Sequence, residues 1–420
     1  MNFRPNPLLY GANEDFFSTF RLAIEMKETV DHGLLSRAVE RVKVRYPYFC
    51  VYAEREGESL ALRYNKRPLP VFPDDRAVTL GSDESGGHLI SFGCEGKHIF
   101  INVSHYIADG MGIDPLLKTV LYLYVTEMYG ANEPGFDRIL KPTDPVLKEE
   151  YEYPFPDEPI EIDNCCFVRQ APGLVYEIDP DAFDKGGLYA YHLRLSQKAM
   201  MAKARPSDGS PVSFLSVMLY RSLCRLDKDL DRPVAVHVQH QYRAAVKKPL
   251  VRHSMVSYVP VSFPTKLKNR DVLYQNTVAR GQILIGSEIE ADLDSVNRLI
   301  RALPNSDDAT VEQKKQSMRR YVENSIMNKT FGISYVGKMD WCGLEGFIDD
   351  IQVYIGEKHT DNMLLIEVMT EEDDFTLTFM QSGKGERYVN AFIEQLQDMD
   401  IPVRLVGEER YTLCDTKLPE

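Results

Sequence analysis

The chain has 420 residues, of which 44% are hydrophobic and 27% are charged, and these fractions are typical of a folded globular protein and exclude a disordered or collagen-like chain. The length predicts two or three domains with at least one large core. The 49 Lys and Arg residues against 63 Asp and Glu residues give a formal charge of −14. This balance argues against a general nucleic-acid binder, which needs a basic face.

The N-terminus and the cysteines bear on the cellular compartment. The first residues contain no basic segment followed by an apolar one, and no run of about eighteen or more apolar residues occurs, so we expect neither secretion nor a membrane span. Seven cysteines without a CxxC pattern predict reduced thiols in a cytoplasmic protein. The adjacent residues Cys165 and Cys166 are expected to be structural.

The first part of the chain alternates between predicted helices and strands. Hydrophobic periodicity predicts a helix over residues 31–46, with Asp31 as its cap and Pro47 at its end. Asp114 and Pro115 have the residue types of an N-cap and a first helical position, so a second long helix is expected to begin there. Strands are predicted over residues 50–53, 60–64, 88–92 and 98–104.

Residues 141–159 divide the chain into two halves. Five prolines stand here among acidic residues, too many for a helix and too polar a setting for a buried strand, which indicates a crossover linker. We therefore expect an N-terminal subdomain over 1–160 that ends in the crossover and a C-terminal subdomain over 161–420. Both halves combine strands and helices, which predicts an α+β fold.

The second half contains further predicted elements. Helices are predicted from Ser210 and Pro211 onward and over residues 271–285, 292–303, 311–327 and 386–397. Strands are predicted over residues 189–195, 234–239, 257–263, 331–336, 351–355, 363–369 and 375–380.

One segment carries the residue types of a catalytic site. After the predicted strand over 98–104, the chain reads His105-Tyr106-Ile107-Ala108-Asp109-Gly110, an HxxxDG pattern at a strand-to-helix junction, where catalytic groups are often held. A neutral imidazole at His105 suits the removal of a proton near pH 7 from an attacking hydroxyl or amine. Asp109 would fix the loop by pairing with a distant arginine, and Gly110 would allow a sharp turn or a close approach to substrate.

The same residues also suit a purely structural role. His105 would then be a buried histidine that hydrogen-bonds to the backbone, and Asp109 would cap a helix. The residue types alone leave both interpretations open.

The HxxxDG pattern in this context resembles the signature of the superfamily that includes chloramphenicol acetyltransferase, nonribosomal peptide condensation domains, plant acyltransferases and alcohol O-acetyltransferases. The chain looks most similar to the bacterial alcohol acetyltransferase-like branch, and the likeness covers nearly its whole length. Three further segments resemble family motifs: residues 34–47 the opening "L..A...V..R.P", residues 234–243 a strand that ends in arginine, and residues 331–337 a late "SNxG" segment.

This resemblance implies a fold and an activity. The fold would be two chloramphenicol acetyltransferase-like α/β sandwich subdomains in a V around a central tunnel. The activity would be acyl transfer from a thioester, either acyl-CoA or an acyl carrier protein, to an alcohol or amine. His105 would be the general base, Asp109 with Arg243 would organise the loop beside Gly110, and Ser334 is nominated as a donor to the oxyanion.

The resemblance also implies which co-substrates and partners the protein would have. The acyl thioester would be a co-substrate, with no permanently bound cofactor and no metal, and a monomer would bind a small-molecule acceptor. Two alternatives remain: a free-standing condensation enzyme that forms an amide from a carrier-bound acyl chain, and a non-catalytic binding member of the superfamily with a closed tunnel. His237 and His240 are expected to point to opposite faces of their strand and so not to share a metal.

Overall fold

The structure is a computed structural model that describes residues 2–5, 7–12, 19–162, 173–303, 309–325, 328–356 and 363–419. Its strands are β1 (Asn2–Phe3), β2 (Thr19–Met26), β3 (Val51–Glu56), β4 (Ser59–Tyr64), β5 (Val71–Phe72), β6 (Ile90–Glu95), β7 (His98–Ser104), β8 (Tyr189–Ser196), β9 (Val234–Gln241), β10 (Val256–Phe263), β11 (Phe331–Lys338), β12 (Ile348–Tyr354), β13 (Leu364–Glu371), β14 (Asp374–Gln381) and β15 (Val403–Arg410). Its helices are α1 (His32–Val42), α2 (Gly110–Tyr129), α3 (Lys148–Tyr151), α4 (Gln197–Ala204), α5 (Pro211–Leu226), α6 (Val272–Gly286), α7 (Ile289–Ala302), α8 (Val311–Ser325) and α9 (Arg387–Gln397). Cys165 and Cys166 lie outside the described residues.

Two large sheets organise the molecule. The first sheet has the strand order β12-β2-β7-β6-β5 and the second has the order β10-β9-β11-β13-β14-β8-β15, while β1, β4 and β3 form a small third sheet. Helices α1 and α2 pack on the first sheet and share one hydrophobic core with it, and α5 and α9 share a second core with the second sheet. The predicted α+β class, with two lobes built on sheets, is confirmed.

The first sheet also uses chain from the second half. Strand β12 pairs antiparallel with β2, from Ile348 opposite Met26 to Tyr354 opposite Arg21. Helix α8 contributes Val311 and Met318 to the first core. The division of the chain at residue 160 stays a prediction. Strand β12 and helix α8 come after residue 160, yet they contribute to the first sheet and the first core.

Two predicted helix starts have different outcomes. Helix α1 begins as predicted, because the Asp31 side chain accepts a hydrogen bond of 2.8 Å from the Leu34 amide. Helix α2 begins five residues earlier than predicted, because its N-cap is Asp109 and not Asp114, and Asp109 accepts the Gly112 amide at 2.8 Å. Pro115 lies inside this helix, and its missing N–H removes one bond near the start.

Sequence patterning does not indicate β2 or β15. All but one residue of β2 is buried, so the alternation typical of a half-buried strand is absent. Strand β15 lies at the edge of the second sheet and is largely exposed, which gives it the polar composition of a loop. The predicted closing helix, α9, is therefore followed by one more strand.

A buried ion pair anchors the crossover over residues 141–159. Glu150, in α3, accepts two hydrogen bonds from the Arg45 guanidinium at 2.7 and 2.6 Å, and a third from the Tyr48 hydroxyl at 2.9 Å. Arg45 is 1% exposed and Glu150 is 3% exposed. Because a bidentate pair fixes orientation as well as distance, the crossover is tied to the end of α1.

Candidate active site

A cavity of about 490 Å³ lies between the two large sheets and is called the central cavity below. Residues from β2, β12 and the start of α2 line one side, and residues from β9, β10, β11 and β13 line the other. Most of these side chains are apolar. Polar or ionisable groups in its wall include His105, Asp109, Ser254, Ser334 and Glu367.

His105 lies in the turn that follows β7 and lines the central cavity, as the sequence predicts. The residue is half-buried, and its ring lies 5.0 Å from the Phe20 ring between centroids. Burial lowers the pKa of His105, and this outweighs the Asp109 charge and nearby backbone carbonyl groups, which raise it. The imidazole is therefore neutral at pH 7, which is the form that can accept a proton.

The Nδ1 atom of His105 lies 3.3 Å from the Ser254 hydroxyl oxygen. Either atom can be the donor in this contact, and the tautomer with its hydrogen on Nδ1 leaves the lone pair of Nε2 to accept a proton. Ser254 is 1% exposed, and the residues around it in the sequence form no motif that would indicate a role in the site. The contact joins residues 149 positions apart, so local sequence patterns do not reveal it.

Asp109 is buried and its carboxylate is saturated with hydrogen bonds. Arg243 donates from Nη1 to Oδ2 at 2.8 Å and from Nη2 to Oδ1 at 2.7 Å. The backbone amides of Gly112 and Met255 donate to the same two oxygens, each at 2.8 Å. Because four donors occupy the carboxylate, Asp109 holds structure in place, and the predicted pairing with Arg243 is confirmed as a contact.

Arg243 also holds the segment that carries Ser254. Its Nε donates to the Val251 carbonyl at 3.0 Å, and its Nη2 donates to the His253 carbonyl at 3.0 Å. The Met255 amide then bonds to Asp109. One buried ion pair therefore fixes both the loop that bears His105 and the loop that contacts its ring.

Gly110 and Gly112 differ in how closely other parts of the protein approach them. Gly110 is exposed, is the first residue of α2, and an added Cβ there would meet no described atom within 4 Å. A Cβ on Gly112 would overlap the Arg252 carbonyl oxygen. Gly110 lies in the cavity wall, and the sharp turn or close approach to substrate expected there stays a prediction.

Ser334 lies in the cavity wall on β11, and its hydroxyl donates to Glu367 Oε1 at 3.0 Å. Burial raises the pKa of Glu367 to about 8, and the Ser334 hydrogen bond opposes that rise. Sequence reasoning did not select Glu367. The sequence feature that could have indicated it is its position as a single carboxylate within the apolar run of β13.

The two histidines of β9 have different surroundings, since His237 lines the central cavity and His240 is not among the described residues that line it. His237 stacks on Tyr258 with 4.0 Å between ring centroids, whereas His240 Nε2 lies 3.0 Å from Asp292 Oδ2. The described part of the chain contains no group of three His, Cys, Asp or Glu residues placed to hold a metal ion. It also contains no helix of the length and apolar character needed to cross a bilayer.

Comparisons place this geometry among known folds. No protein-family model and no curated protein sequence matches the chain. F. graminearum TRI101, complexed with coenzyme A and deoxynivalenol, matches with a TM-score of 0.61 and 12% identity over 94% of this chain and 97% of its own. Polyketide synthase associated protein 5 from Mycobacterium tuberculosis matches with a TM-score of 0.60 and 12% identity over 94% and 96%. The condensation domain of the Monacolin K polyketide synthase MokA matches with a TM-score of 0.54 and 11% identity over 95% and 96%.

The chain has the condensation-domain and chloramphenicol acetyltransferase-like fold. Each match covers more than nine-tenths of both chains, so the likeness in fold extends over both lobes. The fold expected from the HxxxDG pattern is confirmed.

Proposed function

We propose that this protein is an acyltransferase that moves an acyl group from a thioester to the hydroxyl or amine of a small acceptor, with His105 as general base. The observation that carries the proposal is the position of the His105 imidazole in the wall of a cavity between two lobes, on a loop held by the Asp109–Arg243 pair. The shared fold supports the same class of reaction.

The reaction needs only groups that the cavity supplies. Nε2 of His105 takes the proton of the acceptor as its oxygen or nitrogen attacks the thioester carbonyl. The tetrahedral intermediate then collapses, the carbon–sulfur bond breaks, and the departing thiolate takes the proton back from the imidazolium. The products are an ester or amide and a free thiol, and no covalent enzyme intermediate is required.

Ser334 remains the proposed donor to the oxyanion. In the structure its hydroxyl donates to Glu367, so this role requires the hydroxyl to rotate toward the intermediate. Asp109 takes no proton in this mechanism, because its carboxylate is already occupied by four donors.

Acyl-CoA is the proposed donor, and no other cofactor or metal takes part. TRI101, which shares the fold, has been crystallised with coenzyme A. The alternative, a free-standing condensation enzyme that accepts a carrier-bound acyl chain, is favoured by the match to the MokA condensation domain. We further propose a cytoplasmic monomer, because the described cysteines are free thiols and one chain supplies both sides of the central cavity.

The test is release of free thiol from a panel of acyl-CoAs mixed with alcohols and amines, with product identified by mass spectrometry. Acceptor-dependent thiol release is expected from the wild-type protein and is expected to be lost in His105→Ala. No release from any pair, with acyl carrier proteins included as donors, would favour the non-catalytic binding alternative.

A further inference from the structure

Glu367 projects into the central cavity from the middle of the second sheet. On β13, Val368 packs into the second core and Leu365, Glu367 and Met369 line the cavity, whereas Ile366 contributes to both. Glu367 is 3% exposed, so its carboxyl group is removed from bulk water. It is a charged residue type within an otherwise apolar stretch of wall.

The protein provides little to compensate a charge at this position. Among the described residues, Ser334 is the hydrogen-bond partner of Glu367, and no lysine or arginine pairs with it. Burial and the Ser334 hydrogen bond account for the raised pKa of Glu367. Among the described residues, the other ionisable groups around the central cavity are His105, Tyr106, Asp109, Asp114, His237, Tyr242, Arg252, Tyr258, Tyr321 and Lys329. Those around a small adjoining cavity are His192, Arg194 and Asp350.

A buried carboxyl without a cation is costly for the fold, because desolvation disfavours its charged form. Such a departure from ordinary packing is expected where a ligand supplies the missing partner. The other carboxylates of the cavity wall are already paired, Asp109 with Arg243 and Asp114 with Lys118. Glu367 is thus the cavity carboxyl whose charge is left for a ligand.

We propose that Glu367 is an acceptor-binding residue that recognises a positively charged nitrogen, and that the acceptor is an alcohol with a cationic amine at its other end. The acceptor's hydroxyl would meet His105 while the cation meets Glu367. This rests on the proposed acyl transfer for the role of His105, but the binding of the cation does not depend on any chemical step. Tyr321, also in the cavity wall, has an aromatic ring of the kind that attracts cations.

The proposal has a pH signature of definite sign. With a pKa of about 8, Glu367 is mostly protonated at pH 7 in the empty cavity, so a cation must displace a proton when it binds. The affinity for a cation should therefore rise about tenfold between pH 7 and pH 9. A neutral ligand that accepts a hydrogen bond from the protonated carboxyl would show the opposite trend.

The test compares ligands that differ in charge but not in shape. The probes are alcohols of increasing chain length that end in a trimethylammonium group, and their neutral counterparts that end in a tert-butyl group. Binding is measured by calorimetry at pH 7 and pH 9 on the wild-type protein, Glu367→Gln and Glu371→Gln. The last is a matched control, because Glu371 lies on the same strand, pairs with Arg194 at 2.9 Å and is not among the described residues lining the central cavity.

The wild-type protein and Glu371→Gln should prefer the cationic alcohol about tenfold at pH 9, and Glu367→Gln should show no preference. Equal binding of the two probes by the wild type, binding of no cationic probe, or a preference that survives in Glu367→Gln would overturn the proposal. So would tighter binding of the neutral probe that weakens as the pH rises.

Ser334→Ala provides a second variant should Glu367→Gln fail to fold. Loss of the Ser334 hydrogen bond removes the interaction that lowers the pKa of Glu367, so the pH midpoint for cation binding should move upward. An unchanged midpoint contradicts the proposal.

Thiol release with the same alcohols separates the two proposals. Acyl transfer to both probes without a charge preference contradicts the role of Glu367 alone. Charge-selective binding without transfer from any thioester contradicts the proposed acyltransferase activity alone.

Discussion

Two buried carboxylates face the central cavity, and the protein treats them differently. Asp109 is 5% exposed and accepts four hydrogen bonds, two of them from the Arg243 guanidinium. Glu367 is 3% exposed and accepts one, from Ser334. Similar burial therefore accompanies different surroundings: the Asp109 carboxylate holds the His105 loop through its donors, whereas Glu367 has no cationic partner among the described residues and is proposed to meet one on a ligand.

The largest expected effect comes from breaking the ion pair between Asp109 and Arg243. Asp109→Ala and Arg243→Ala should each lower the free energy of unfolding by ~3 to 5 kcal/mol, because each leaves a buried charge without its partner. The double variant should lose less than the sum of the single losses, because the two residues form one interaction. Urea denaturation of the four proteins measures this coupling.

Arg225→Ala is the matched control, because Arg225 pairs with Asp398 at 2.6 Å on the surface, where the two side chains are 47% and 60% exposed. Its melting temperature should stay close to that of the wild type. Strict additivity of the Asp109 and Arg243 losses would show that the pair does not act as a unit.

Glu367, which has no cationic partner among the described residues, should make the stability of the folded protein depend on pH. The pKa of Glu367 is about 8 in the folded protein and about 4.3 in an unfolded chain. Between these values the unfolded state ionises while the folded state keeps its proton, so folded stability falls as the pH rises. Glu367→Gln lacks this loss, and its advantage over the wild type should grow by a few kcal/mol from about pH 4.3 to pH 8.

Denaturation midpoints of both proteins across that pH range measure the difference. Stability curves that run parallel would mean that Glu367 is ionised in the folded state, and the contrast with Asp109 would then disappear.

His105→Ala should lower kcat for acyl transfer by ~10²-fold or more, because the general base must accept a proton in the transition state. Stability should change little, because the ring is half-buried and the Asp109–Arg243 pair remains. Thiol-release kinetics and a thermal melt of the same sample measure both effects. Full activity in a folded His105→Ala protein would assign the chemistry to another group.

The smallest expected effect concerns Ser254. Ser254→Ala removes the contact to Nδ1 of His105, which is long at 3.3 Å, so kcat should fall only about three- to tenfold while KM for the thioester is retained. Ser216→Ala, a buried serine of α5 in the other lobe, should leave both constants unchanged. An effect confined to KM would contradict a role in orienting the imidazole.

The parts of this site that depend on short stretches of sequence could be predicted from the sequence. The HxxxDG pattern located His105 and Asp109, and the predicted strand before them, β7, spans the expected residues. Resemblance to the superfamily supplied Arg243, which lies 134 positions from its partner. Caps at Asp31 and Ser210 predicted the starts of α1 and α5 correctly, because a side chain bonds to the helix within three residues. The end of α1 was predicted near Pro47, but the helix ends at Val42.

Features set by tertiary contact were beyond local signals. The residue types of Asp114 and Pro115 suggest a helix start more strongly than Asp109 does, yet the Arg243 contact fixes Asp109 as the cap. Burial on both faces removed the alternation of β2. Glu367 looks like an isolated charge in a strand until the fold shows that the cavity lies on that face.

The pH dependence of kcat/KM for acyl transfer tests most directly whether His105 is the general base. Activity should be lost as the pH falls through the pKa of His105, and because burial lowers that pKa, the midpoint should lie below the ordinary value of about 6.5. The residual activity of His105→Ala should show no such loss over the same range. A midpoint at or above the ordinary value, or one that persists in His105→Ala, would contradict the assignment.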